Sequence, residues 1–202
     1  MNFISIDAVT EKSNISLFIN NKCVSEYNDC KNSSHLPAAI KLCMQKNNLN
    51  LKELDYIAIT IGPGSYTGIR VGLSISQGIA YSLTIPIVPI NTMDFLFYSS
   101  ALIGDEDKII GFPSYGNKLI YFSVINGVRS ENKVVDVKLL KDKKIYGAHL
   151  DRFDKVINYK EIDMSSKLIG IYSIENYSEL STNEMSKVAP VYLDLHGVQI
   201  ND

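Results

Sequence analysis

A chain of 202 residues, 46% hydrophobic and 21% charged, can bury a sizeable core and falls between one large domain and two small ones, which excludes a disordered or fibrous protein. Its 20 basic and 22 acidic residues are mixed along the chain and leave a net charge of -2, so there is no broad basic field to hold a nucleic-acid backbone. Cys23, Cys30 and Cys43 lack close metal-ligand spacing, and the first seven residues lack the cationic flank and apolar core of an export signal, which predicts reduced thiols in a cytoplasmic protein.

In chain order, residues 3–8 and 15–19 are short apolar runs, and Asn20-Asn21 turns the second into residues 22–27, predicting a β-meander. Ser34 can cap a helix over residues 34–47, in which Leu36, Ala39, Ile40, Cys43 and Met44 fall at i, i+3, i+4, i+7 and i+8, with Pro37 tolerated in the first turn. Residues 56–61 then read as a buried strand, 69–83 as a helix, 85–90 as a strand and 92–101 as a helix capped by Asn91. The order βββαβαβα predicts an α/β architecture, a mixed sheet covered by helices. Residues 69–90 carry a single charge, Arg70, but Gln77, Tyr81, Pro86 and several serines interrupt the stretch, so a helix followed by a strand fits better than a membrane span.

The charged run at 104–108 breaks the apolar pattern and divides the chain into residues 1–104 and a shorter lobe, 105–202. In that lobe residues 109–112 and 119–125 read as strands, and Asn126-Gly127 signals a hairpin. Further on, residues 145–146 suit a strand, 164–173 a helix, and 189–193 an extended run around Pro190.

The most informative stretch is Gly62-Pro63-Gly64-Ser65-Tyr66-Thr67-Gly68, between a predicted strand and a predicted helix. Glycines let the backbone turn sharply, and Gly64 or Gly68 is expected in a conformation that a side chain would strain. Ser65 or Thr67 can cap the helix; free N–H groups could then face an anion, or the motif could simply be a tight turn. No lysine follows the glycines as in a Walker loop, and Gly62, Gly64 and Gly68 are spaced one residue too far for the dinucleotide fingerprint. Ser65 also lacks the flanking glycines of a nucleophile elbow.

In the helix that follows, Ile69, Leu73 and Ala80 line one side, while Val71, Ile75 and Ile79 line another. One side can cover the sheet. The other needs either the chain's own first helix or another chain, and Gly68, Gly72, Ser76 and Ala80, at intervals of four, would let a neighbouring helix come close.

The run from Gly62 to Gly72 resembles the signature of the TsaB (YeaZ) family. The likeness extends through Phe3-Ile4-Ser5-Ile6-Asp7, His35-Leu36-Pro37, Gln77-Gly78-Ile79-Ala80, Ile85-Pro86-Ile87 and Ala189-Pro190-Val191-Tyr192-Leu193. The resemblance implies an actin-like, sugar-kinase-like (ASKHA) fold of two lobes and a non-catalytic role in making threonylcarbamoyladenosine beside the tRNA anticodon. The implied partner is a TsaD-like protein, the paralogue that transfers the threonylcarbamoyl group, with a TsaE-like ATPase joining the assembly and a homodimer when the chain is alone. The expected interface takes His35, Leu36 and Ile40 from the first helix, Tyr66 from the glycine-rich loop, and Val71, Ile75, Gly78 and Ile79 from the second helix.

TsaD carries a His-x-x-x-His metal pair where Asn91-Thr92-Met93-Asp94-Phe95-Leu96 stands here, and Thr92 and Leu96 cannot supply that site. His35, His149 and His196 are far apart in sequence, so no catalytic or metal-binding residue is expected. Asp7, at a strand end, and Thr10 stand where actin-like ATPases place groups near metal and phosphates, but local hydrogen bonding is the preferred role for Asp7. The second lobe lacks a paired-glycine loop, so no tightly bound cofactor is expected, with ATP or ADP only at a partner interface. Phe112-Pro113-Ser114-Tyr115-Gly116-Asn117 replaces the family's common Asp-Ala-Arg stretch, and Asp194 stands where a basic residue is common, so tRNA is expected to be involved only indirectly. Two other classes stay open: a metal- or ATP-dependent enzyme of the glycoprotease-like or acyl-kinase type, and an independent homodimeric binding protein.

Overall fold

The computed structural model describes residues 1–10, 13–28, 35–193 and 199–200. The predicted cap Ser34, together with Cys30, Asp194 and His196, lies outside them. In chain order the first strands are β1 (Phe3–Asp7), β2 (Asn14–Ile19) and β3 (Lys22–Tyr27), followed by α1 (Leu36–Lys46), β4 (Tyr56–Gly62), α2 (Tyr66–Leu83), β5 (Ile87–Asn91) and α3 (Thr92–Ser100). Next come β6 (Lys108–Pro113), β7 (Lys118–Ile125), β8 (Val128–Arg129), β9 (Lys133–Asp136), β10 (Lys144–Gly147) and β11 (Asn158–Glu161). The chain closes with α4 (Ser166–Glu175), α5 (Tyr177–Leu180), β12 (Tyr192–Leu193) and β13 (Gln199–Ile200).

The expected order of elements holds, and the first five strands form a mixed sheet ordered β3-β2-β1-β4-β5. β1 pairs antiparallel with β2 and parallel with β4, and β5 continues the parallel set. On one face Ile4, Ile6, Leu17, Ile57 and Ile59 meet Leu36, Ile40 and Met44 of α1 and Leu73 and Ala80 of α2 in a single buried cluster. The other face carries α4, where the hydroxyls of Ser16 and Ser166 lie 2.8 Å apart and the Ser5 hydroxyl donates to the Ser166 carbonyl. There Phe3 stacks between Phe18 and Tyr56, with ring centroids 4.4 and 4.2 Å away.

That docking brings a late segment of the chain back to the first sheet. The described residues separate into two compact units, one of residues up to 92 with 165–190 and one of residues 93–164 with 191–193 and 199–200. Small residues cause the return: serines at 5, 16 and 166 and Gly170 opposite the Phe18 ring let α4 settle closely on the sheet. Of the charged run at 104–108, residues 104–107 are exposed and irregular, and Lys108 opens β6.

Both edges of the first sheet are blunted. β3 pairs with β2 through a bulge at Leu17/Phe18, while Ile87 of β5 exchanges two 2.9 Å backbone hydrogen bonds with Thr182. In the second unit the sheet runs β11-β10-β6-β7-β8, with β9 also paired to β7. One side buries Leu119, Val137, Leu140, Ile145, Leu150, Phe153 and Ile157. Arg129 holds α3, donating to Asp94 at 2.5 Å while its guanidinium lies 4.4 Å from the Phe122 ring centroid. The strands missed in the weakly patterned second half, β9 and β11, are four residues each and contain no buried residue, so period-two burial barely shows. No helix among the described residues is long and apolar enough to cross a membrane.

Candidate functional site

The glycine-rich turn is built for the chain's own backbone. Ser65 donates its N–H to the Val9 carbonyl at 2.7 Å, tying the turn to the link between β1 and β2. A β-carbon at Gly64 would stand 2.5 Å from both Cβ and O of Val9, and one at Gly68 would strike the Ala8 carbonyl. The expected conformational strain is therefore misplaced. Gly62 has the left-handed φ of 110°, whereas Gly64 and Gly68 are required by close approach. Ser65, not the exposed Thr67, caps α2 by accepting from the Gly68 N–H at 3.2 Å.

Beside this turn, Asp7 is fully buried and accepts from the Val9 N–H (3.1 Å), the Thr10 hydroxyl (2.9 Å) and the Thr60 hydroxyl (3.2 Å). Thr60 in turn accepts from the Ala8 N–H at 2.9 Å. These bonds give the carboxylate the local role preferred from the sequence: they fix the end of β1 under the turn. Thr92 and Leu96 are both fully buried, Leu96 as an apolar core residue. Among the described residues no group of three or more His, Cys, Asp or Glu side chains converges as a metal site would require.

Helix α2 begins at Tyr66, three residues before the predicted start, because Ser65 already supplies the cap. Its buried side is Gly68, Ile69, Gly72, Leu73, Ser76 and Ala80. The small-residue stripe expected to admit a foreign helix therefore points inward. Gly72 faces Ala8, where a β-carbon would stand 2.6 Å from the alanine methyl, and the Ser76 hydroxyl donates to the Gly72 carbonyl at 2.8 Å.

Of the expected interface residues, Leu36 and Ile40 are corrected: both are buried in the core, since α1 directs its one apolar stripe onto the sheet. Ile75 and Ile79 are half-buried against that same core, so the chain's own elements cover part of the second apolar face. His35, Tyr66 and Gly78 are exposed and Val71 is half-exposed. A β-carbon at Gly78 would meet nothing within 4 Å.

The outward face of α2 thus runs through Tyr66, Arg70, Ser74, Gly78 and Tyr81, flanked by Val71. Tyr66 is 58% and Tyr81 81% exposed, and the Arg70 guanidinium lies 4.3 Å from the centre of the Tyr66 ring. Arg70 and Tyr81 were not singled out from the sequence as interface residues. Their spacing from Tyr66, at i+4 and i+15, reveals the face once the helix is started at its true cap. A further anchor was also missed: the Gln77 side-chain amide donates to the carbonyls of Met185 (3.0 Å) and Val188 (2.8 Å), fastening the end of the returning segment to α2.

A family model described as TsaD, tRNA N6-adenosine threonylcarbamoyltransferase, matches residues 29–183. The tRNA threonylcarbamoyladenosine biosynthesis protein TsaB of Buchnera aphidicola (subsp. Acyrthosiphon pisum) is 30% identical over 178 residues, 86% of this chain and 79% of that protein. The TsaB of Haemophilus influenzae is 23% identical over 128 residues, 62% of this chain and 54% of the relative, so the match spans about half of that protein's length. Among solved structures, YeaZ from Pseudomonas aeruginosa superposes with a TM-score of 0.70 at 16% identity, covering 95% of this chain and 99% of that one, a likeness of fold.

Proposed function

The chain belongs to the TsaB (YeaZ) family, and from that premise we propose that it acts in tRNA threonylcarbamoyladenosine biosynthesis as a non-catalytic subunit docking onto a TsaD-like transferase. The observation that carries this reading is the outward face of α2. Tyr66 and Tyr81 stand far out of the surface, Ser74 and Gly78 leave a shallow strip beside them, and Val71 borders it. A strip of small residues beside large rings suits a neighbouring helix, which can approach closely and cover aromatic surface. The blunted sheet edges favour this helical route over strand addition.

The turn supports the same reading. Gly64, Ser65 and Gly68 serve the contact with Ala8 and Val9, so the motif's glycines have a use that requires no phosphate. The chain's part in threonylcarbamoyl transfer would be to hold its partner in a working arrangement. A TsaE-like ATPase would join that assembly, and any ATP or ADP would sit where partners meet. tRNA contact would be left mainly to the partner.

The test is restoration of the modified adenosine in a strain depleted of this protein. Gly78→Trp fills open space on α2, so it is expected to fold normally yet fail to restore modification. Full restoration by that variant would remove α2 from the docking surface.

A further inference from the structure

Both faces of the first sheet carry α-helices, and so does one face of the second, where Phe97 of α3 meets the Phe122 ring edge-on at 6.1 Å. The opposite face of the second sheet draws its cover from two short 3₁₀ turns, Val137–Leu140 and Asp151–Phe153, whose Val137, Leu140 and Phe153 join Leu119 and Ile145 in one buried cluster. Away from these turns the face opens. Ile109, Tyr121 and Tyr159 are half-buried at the border of that cluster, and Ile125 and Val128 are 55% and 71% exposed. The two-residue alternation of β7 puts Ile125 on the same side as Tyr121, Val128 pairs directly with Ile125, and Lys133 pairs directly with Tyr121.

Charge beside this face is one-sided. Residues 133–144 hold five lysines against Asp136 and Asp142, although the chain has a net charge of -2. Asp136 is already engaged as the cap of the first turn, accepting from the Lys138 N–H at 2.9 Å. Lys133, Lys138, Lys141 and Lys143 are exposed and make no ion pair with any described residue.

From this we infer that the open face is a contact for unpaired RNA, namely a tRNA loop, an inference that rests on the family's role in tRNA modification and not on α2. Bases of a loop present flat apolar faces that stack on tyrosine rings and cover Ile125 and Val128, while their phosphates are drawn to the lysines. A double helix keeps its base faces stacked inward and offers this surface phosphates alone. Tyr159 is in register with Ile145 and Ile109 across the sheet, three strand spacings or about 14 Å from β7, so the two rings take different bases. Two rings on the face, one with a lysine directly beside it, suit base and phosphate together and favour RNA over an acidic protein helix. The contact is secondary to the partner's hold on tRNA, and it replaces purely indirect involvement with a weak direct one.

The test is fluorescence anisotropy of the full chain with two labelled probes, a tRNA stem-loop and the same stem as a loopless duplex, at about 50 mM and about 500 mM salt. The stem-loop is expected to bind about tenfold more tightly than the duplex, and its affinity to fall as salt rises. Lys133→Glu joined to Lys141→Glu, and separately Val128→Glu, should each weaken stem-loop binding by about tenfold or more. All three positions are exposed, so circular dichroism should be unchanged. Tyr121→Leu keeps an apolar side chain against the cluster but removes the stacking ring, and should erase most of the preference for the loop. Gly78→Trp should bind the stem-loop as wild type does, so loss of partner docking and loss of RNA binding are separate outcomes. No stem-loop binding at low salt, equal affinity for the two probes, or normal stem-loop binding in the face variants would overturn the inference. So would face variants that lose the TsaD-like partner in place of RNA, which would make this face a protein contact.

Discussion

Helices α1 and α2 rest on the same sheet face and contribute to one core, yet they dispose of their side chains differently. Helix α1 has one apolar stripe, Leu36, Ala39, Ile40, Cys43 and Met44, and all of it is buried. Helix α2 buries mainly small residues against Ala8 and β4 and leaves Tyr66 and Tyr81 in solvent, with Val71 at the border. An amphipathic pattern alone therefore does not identify a docking helix. What distinguishes α2 is its large aromatic surface outside while glycine and serine pack inside, the reverse of the usual economy of burial.

Charge placed on the two helices should break this comparison most sharply. Ile40→Asp puts an unpaired carboxylate into the core and is expected to cost several kcal/mol, on the order of 3 or more, enough to prevent stable folding by circular dichroism. Val71→Asp, at a half-exposed position, should fold and instead lose the TsaD-like partner in a binding assay. Equal loss of folding in both would erase the distinction.

Next in size is the turn. Gly68→Val sets a side chain against the Ala8 carbonyl and is expected to destabilise the protein by about 3 kcal/mol in chemical unfolding. Gln77→Ala is expected to cost about 1 to 2 kcal/mol, through two hydrogen bonds lost to the Met185 and Val188 carbonyls. The smallest effect should have the opposite sign. Gly78→Ala meets no neighbour and should stabilise α2 by about 0.5 to 1 kcal/mol in thermal unfolding, whereas Gly72→Ala, facing the Ala8 methyl, should destabilise.

Much of the first unit was legible because its signals are local. Apolar runs gave the strands, i+3/i+4 spacing gave α1, and Gly62–Gly68 marked the strand-to-helix turn. The use of that turn was not legible, because the atoms that demand glycine belong to Ala8 and Val9, more than fifty residues earlier. The same limit explains the interface residues. Leu36 and Ile40 have the composition of a docking stripe, and only three-dimensional burial shows that the sheet has taken it. The return of α4 to the first unit rests on hydroxyls of Ser5, Ser16 and Ser166, a polar seam with no apolar period to announce it.

The central claim is that α2, and not α1, faces a partner. It is tested most directly by the affinity of Gly78→Trp for the TsaD-like protein, measured by sedimentation beside wild type, with circular dichroism and thermal unfolding as controls for folding. Unchanged folding with affinity reduced by about a hundredfold or more is the result expected for a bulky ring placed in a close helical contact. A folded Gly78→Trp that binds as wild type does would contradict the account.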